Sequence, residues 1–181
     1  MLNLPNILTL VRIAFIPVLF ALLFFPGKLV AFVAALCFSI ASLTDFFDGF
    51  LARRRNSVTQ IGKILDPLAD KLLVTACLIM LIPLRNVQAW VVTIIVCREI
   101  AVTGLRGIAA ADGLIMPAES MGKKKTAFQI TAIICLLLHY EYFCIDLHQV
   151  GMGLLIVAMV LTVWSGCIYF FRFSRSLNQS R

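Results

Sequence analysis

Apolar residues run along this chain in long blocks, each close to the roughly 20 residues that an α-helix needs to cross a bilayer. A polar or helix-breaking stretch closes each block. The pattern predicts six helical spans, at about residues 6–25, 29–54, 62–83, 87–108, 121–141 and 149–172. The breaks fall at Pro26-Gly27, between Arg53 and Gln60, at Pro83, between Gly113 and Pro117, and in the polar segment from Glu141 to Gln149. Pro17 lies inside the first span, where a membrane helix tolerates it if neighbours satisfy the freed carbonyl. Neither low complexity nor short tandem repeats interrupt the pattern, so residues 1–181 read as a single transmembrane domain. The expected fold class is all-α, a polytopic membrane protein with six transmembrane helices.

Composition agrees. Of 181 residues, 61% are hydrophobic and mean hydropathy is +0.99, which leaves little room for a soluble domain. Charge then sets the orientation. With the N-terminus in the cytoplasm, only Lys28 and Arg85 of the 16 Lys and Arg residues fall in outer connections. That asymmetry is a positive-inside signal and puts both termini on the cytoplasmic side. The net charge of +7 suits anionic headgroups and a phosphorylated substrate, and with no soluble basic domain nucleic acid is not an expected partner. The first span lacks a basic leader and a small-residue cleavage site, so it is expected to be retained. Cys37, Cys77, Cys97, Cys135, Cys144 and Cys167 show no paired spacing and read as small buried hydrophobes. His139 and His148 flank the last outer connection and read as interfacial.

Four carboxylates break the apolar pattern. Asp45 and Asp48 are spaced i, i+3 and Asp66 and Asp70 i, i+4, so each pair shares a helical face. An ionised carboxylate at membrane depth is costly unless it is paired, hydrated or metal-bound. Two facing helices would aim all four at one another, which requires cations between them. A carboxylate-only set without nearby His or Cys suits two hard divalent ions, Mg²⁺ or Mn²⁺, with positions left open for phosphate oxygens. Asp45, Asp48 and Asp66 are expected as metal ligands. Asp70, one turn beyond Asp66, is expected to serve as general base while also touching a metal. Gly49, Ala52 and Arg53 continue the first acidic face. Arg53 can reach a metal-held phosphate, and the missing bulk at Gly49 and Ala52 admits either a packed helix or a flat nucleotide.

Basic residues gather at the cytoplasmic ends of later spans. Arg98 and Arg106, eight apart, lie on one helical face, and Glu99 reads as a partner for one of these cations. Lys123, Lys124 and Lys125 open the fifth span, where cations oppose the helix dipole unless an anion binds there. Positive-inside anchoring explains part of this charge, and Arg54 and Arg55, equally cheaply. At the N-terminus, Asn6, Thr9 and Arg12 form a stripe beside Pro5, a helix-starting residue.

The series Asp45, Asp48, Gly49, Ala52, Arg53, Gly62, Asp66 and Asp70 matches every fixed position of D-x2-D-G-x2-A-R-x8-G-x3-D-x3-D. In this the chain resembles the CDP-alcohol phosphatidyltransferase family. The resemblance implies that cytidine lies against the Gly49–Ala52 strip and that Asn6, Thr9, Arg12, Arg53 and Gly62 help bind CDP-diacylglycerol. Arg98-Glu99 with Arg106, followed by Gly122-Lys123-x-Lys125-Thr126, looks like the branch whose acceptor is sn-glycerol 3-phosphate, with Arg98, Arg106, Lys123 and Lys125 binding that acceptor. The implied reaction is phosphatidyl transfer from CDP-diacylglycerol to the acceptor's 1-hydroxyl with release of CMP. The implied setting is the bacterial inner membrane, with membrane lipids as surroundings, the active site facing the cytoplasm and a homodimer as assembly. Direct in-line attack is expected, because no Ser, Cys or His sits beside a base in the motif. Rival readings are the same chemistry with inositol phosphate, serine or phosphatidylglycerol as acceptor, and, from another class, an ion or proton transporter. The transporter reading requires acidic or polar residues reaching the outer face, whereas the aspartates cluster on two adjacent spans.

Overall fold

The computed structural model of the chain describes residues 4–55, 60–111, 120–142 and 145–179, and the side chains of 11–44, 71–109, 125–141 and 145–175. Among the described residues the fold is all-α apart from one small hairpin. The helices are α1 (Leu4–Leu23), α2 (Lys28–Arg55), α3 (Gln60–Leu81), α4 (Ala89–Ala111), α5 (Ser120–Leu138) and α6 (Leu147–Gln179). Between α5 and α6, β1 (Glu141–Tyr142) pairs antiparallel with β2 (Ile145–Asp146), Glu141 opposite Asp146.

Local chemistry explains the helix ends. Pro5 stands in the first turn of α1, where a missing N–H costs nothing. The same helix carries Pro17 internally. Gly27, at φ +141°, makes the turn into α2, and its carbonyl accepts from the Ala31 amide at 3.0 Å. Helix α5 stops at Leu138, three residues before the apolar pattern ends. His139 enters the left-handed region (φ 28°) there, and its amide caps the Cys135 carbonyl at 3.0 Å. Asp146 caps α6, its Oδ1 accepting from the amides of His148 (2.9 Å) and Gln149 (3.2 Å). At its far end α6 runs to Gln179, past the predicted 172, because Arg172 and Arg175 end the apolar run without ending the helix.

Helices alternate in direction, and the connections sort onto two ends. Lys28, at the start of α2, lies 5.5 Å from the Tyr140 ring centroid beyond α5. Asn86 in the α3–α4 connection donates to the Leu136 carbonyl at 3.3 Å. The three connections expected on the outer side therefore share one end of the bundle. Neighbouring helices form a closed circuit: α1 packs on α2 and α3, α2 on α5, α5 on α6, α6 on α4, and α4 on α3. Contact between α3 and α5 closes the middle.

The interior and exterior are both apolar. On α2, Ala31, Ala34, Ala35, Phe38 and Ala41 are buried, while Leu29, Phe32, Leu36, Ile40 and Leu43 form the opposite, exposed stripe. A helix apolar all round belongs to a core or a bilayer. Leu73, Leu78, Val91, Ile95, Ile133, Leu136 and Leu155 complete the core between the other helices. Helices α5 and α6 approach closely at Gly151, where a Cβ would lie 2.8 Å from Leu136 Cγ and 3.0 Å from the Leu136 amide nitrogen. Only a residue without a side chain fits that crossing. Among the described residues one stretch, Leu147–Arg175, is long and apolar enough by itself to cross a membrane. Val11–Leu23, Lys28–Thr44, Lys71–Leu81 and Lys125–Leu138 are shorter apolar segments.

Candidate functional site

Charged residues of α3, α4 and α5 meet at one level. Lys71 lies roughly 15 Å along α3 from Leu81, and Glu99 about the same distance along α4 from Ala89, at 1.5 Å per residue. Antiparallel α5 brings Lys125 to a similar depth. There Glu99 pairs with three cations. Its Oε1 takes Lys125 Nζ and lies 3.2 Å from Arg98 Nη1, and its Oε2 lies 3.8 Å from Lys71 Nζ. Thr103, one turn beyond Glu99, donates to the Glu99 backbone carbonyl at 2.6 Å and accepts from Lys71 Nζ.

Helix α6 supplies the wall. Arg98 Nη2 donates to Ser165 Oγ at 2.6 Å, and Ser165 donates to the Thr162 carbonyl at 3.2 Å. Gly166 leaves room for the arginine, because a Cβ at that position would lie 2.9 Å from Arg98 Nε. Two turns further along α4, the Arg106 guanidinium sits 5.4 Å from the Tyr169 ring centroid, a cation–π contact. Arg98 and Arg106 thus share one side of α4, as their spacing predicts, and that side faces α6. Lys125, Gln129, Thr162 and Ser165 are all buried, so a polar seam runs between α5 and α6 in an otherwise apolar interior. Among the described residues three cations stand against one carboxylate, a positive surplus that suits a phosphate group.

The acidic motif adjoins this cluster. Asp45 and Asp48 lie in α2 and Asp66 and Asp70 in α3, so the helical spacing that the sequence requires is present in the backbone. The side chains of these four lie outside the described residues, as do those of Asn6, Thr9, Ala52, Arg53 and Lys123 and the surroundings of Gly49 and Gly62. Lys71, which directly follows Asp70, ties the end of the motif to Glu99. Helix α1, packed on both α2 and α3, carries Arg12 at 3% exposure, a guanidinium held inside the protein.

Two features differ from expectation. Cys77 is buried, but Cys97 and Cys167 are exposed on α4 and α6, so burial does not describe all the thiols; Cys144 lies outside the described residues. Five residues at the site were not anticipated: Lys71, Thr103, Ser165, Gly166 and Tyr169. A lysine beside Asp70 and a Ser-Gly pair inside the apolar α6 were the available signals. Which cation they would face depends on helix pairing.

Over residues 2–164 the chain matches the model of a family described as CDP-alcohol phosphatidyltransferase. The chain belongs to the CDP-alcohol phosphatidyltransferase family. Proteins named CDP-diacylglycerol–glycerol-3-phosphate 3-phosphatidyltransferase are similar along nearly their whole length. That of Bacillus subtilis (strain 168) is 45% identical over 192 residues, covering 99% of this chain and 100% of the relative. That of Rickettsia bellii (strain RML369-C) is 42% identical, covering 93% of each. That of Shigella flexneri serotype 5b (strain 8401) is 38% identical, covering 90% of each. In this CDP-alcohol phosphatidyltransferase the Glu99 cluster therefore stands next to the segment that carries the family motif.

Proposed function

We propose that this CDP-alcohol phosphatidyltransferase transfers a phosphatidyl group from CDP-diacylglycerol to sn-glycerol 3-phosphate, giving phosphatidylglycerophosphate and CMP in phospholipid biosynthesis. The observation that carries the acceptor choice is the excess positive charge of Lys71, Arg98 and Lys125 around Glu99, adjoining Asp70. A neutral acceptor such as serine has no use for it. The names of the similar proteins support the same choice.

Asp45, Asp48, Asp66 and Asp70 fit a pair of divalent cations, since an all-carboxylate donor set without thiol or imidazole suits Mg²⁺ or Mn²⁺. When bound, such ions supply charge neutralisation for the diphosphate of the nucleotide. The chain's own residues do the rest. Arg53, Arg12, Asn6 and Thr9 hold the nucleotide diphosphate, with Gly49, Ala52 and Gly62 leaving space for close approach. Arg98, Arg106, Lys123 and Lys125 hold the acceptor phosphate. Asp70 takes the proton from the 1-hydroxyl, the freed oxygen attacks the lipid-linked phosphorus in line, and CMP departs.

The domain spans residues 1–181 and crosses the bacterial inner membrane six times, with both termini and the site on the cytoplasmic side and a homodimer as the working unit. The exposed apolar stripe on α2 and the gathering of alternate connections at one end support that arrangement.

Release of CMP by the purified protein, with CDP-diacylglycerol and Mg²⁺ or Mn²⁺, is expected to depend on sn-glycerol 3-phosphate. Competing serine, inositol phosphate and phosphatidylglycerol should leave it unchanged. Incorporation of any of those three in preference to glycerol 3-phosphate contradicts the acceptor assignment.

A further inference from the structure

We infer that Glu99 is a positioning residue: it holds Lys71 of α3 and Lys125 of α5 beside Arg98 of α4, so that cations from three helices form one receptor for the acceptor phosphate. The inference rests on the acceptor reading above and adds to it a carboxylate of the same sign as the substrate.

Burial makes the carboxylate necessary. The side chains of Lys125, Arg98 and Glu99 are 10%, 13% and 17% exposed, and charges so far from water need a counter-charge. Three cations this close repel one another strongly when nothing lies between them. Their anchors differ, however. Arg98 is held independently by Ser165 and by the space at Gly166. Lys125 meets the cluster through Glu99, and Lys71, at 30% exposure, through Glu99 and Thr103. Thr103 also bonds the Glu99 backbone, which steadies the carboxylate and Lys71 together. Loss of the Glu99 charge therefore frees Lys125, removes one anchor of Lys71 and leaves Arg98 in place. The gain in net positive charge does not compensate, because a phosphate binds tightly to donors already fixed in direction.

The test is Glu99→Gln in the full-length protein, with KM measured for both substrates. KM for sn-glycerol 3-phosphate is expected to rise about tenfold, equivalent to about 1.4 kcal/mol, with KM for CDP-diacylglycerol staying within about twofold. Glu99→Asp, which keeps the charge, should recover part of the loss. Equal shifts in both KM values show general damage and overturn the inference, as does a lower KM for glycerol 3-phosphate, which would mark Glu99 as a competitor of the substrate. If Glu99→Gln does not fold, Lys71→Gln serves instead. A selective rise of several-fold in the acceptor KM is expected there, and no change overturns the inference. Wild-type protein that releases CMP without using glycerol 3-phosphate overturns the acceptor reading itself. Normal wild-type kinetics with an unselective Glu99→Gln variant overturns the positioning role alone.

Discussion

Asp70→Asn is expected to cut turnover by about three orders of magnitude while CDP-diacylglycerol still binds. General-base catalysis contributes roughly 10²–10⁴-fold, and asparagine keeps the size and one oxygen of the side chain but cannot accept the proton of the attacking hydroxyl. The substitution therefore removes proton transfer and leaves the nucleotide contacts, which belong to Arg12, Arg53 and the strip of Gly49 and Ala52. Single-turnover CMP release measures the first effect, and equilibrium binding of labelled CDP-diacylglycerol the second. Turnover near the wild-type value would remove Asp70 from the role of base. Loss of binding in parallel with turnover would make it chiefly a ligand-site residue.

Lys125→Ala should raise KM for sn-glycerol 3-phosphate by about tenfold or more, on the 1.5–3 kcal/mol scale of a hydrogen bond to a charged group. Lys125 is buried and paired to Glu99, so its loss changes both contact and charge. The positive surplus around Glu99 among the described residues falls by one charge, and Glu99 then draws Lys71 and Arg98 to itself. KM for CDP-diacylglycerol should change much less, because its diphosphate is served from α1 and α2. Steady-state kinetics with each substrate varied in turn checks the split. A larger effect on the nucleotide substrate would move Lys125 to the other half of the site.

The sequence announced the helices better than their partners. Pro26-Gly27, Pro83 and the Glu141–Gln149 segment marked real breaks, because backbone chemistry that ends a helix is local. Errors at the ends had physical causes. Helix α5 stopped early where His139 turned left-handed, and α6 ran on where charge replaced apolar residues but nothing broke the helix. That Arg98 and Arg106 share one side of α4 followed from helical period; that this side meets α6 did not. By contrast, the meeting of Lys71, Glu99 and Lys125 depends on three helices packing at one depth, and no spacing within a single helix encodes that. The role of α1, seated against both α2 and α3, was equally hidden: its stripe of Asn6, Thr9 and Arg12 was visible, its neighbours were not.

Binding of divalent cations by the carboxylates of α2 and α3 can be observed without turnover, by titrating the protein with Mn²⁺ under electron paramagnetic resonance in the presence of CDP-diacylglycerol. Wild-type protein should take up two ions per chain, and Asp48→Ala should lose most of that uptake at the same concentrations. Superimposable titrations for the two proteins, or no bound ion in the wild type, would contradict the assignment of these aspartates.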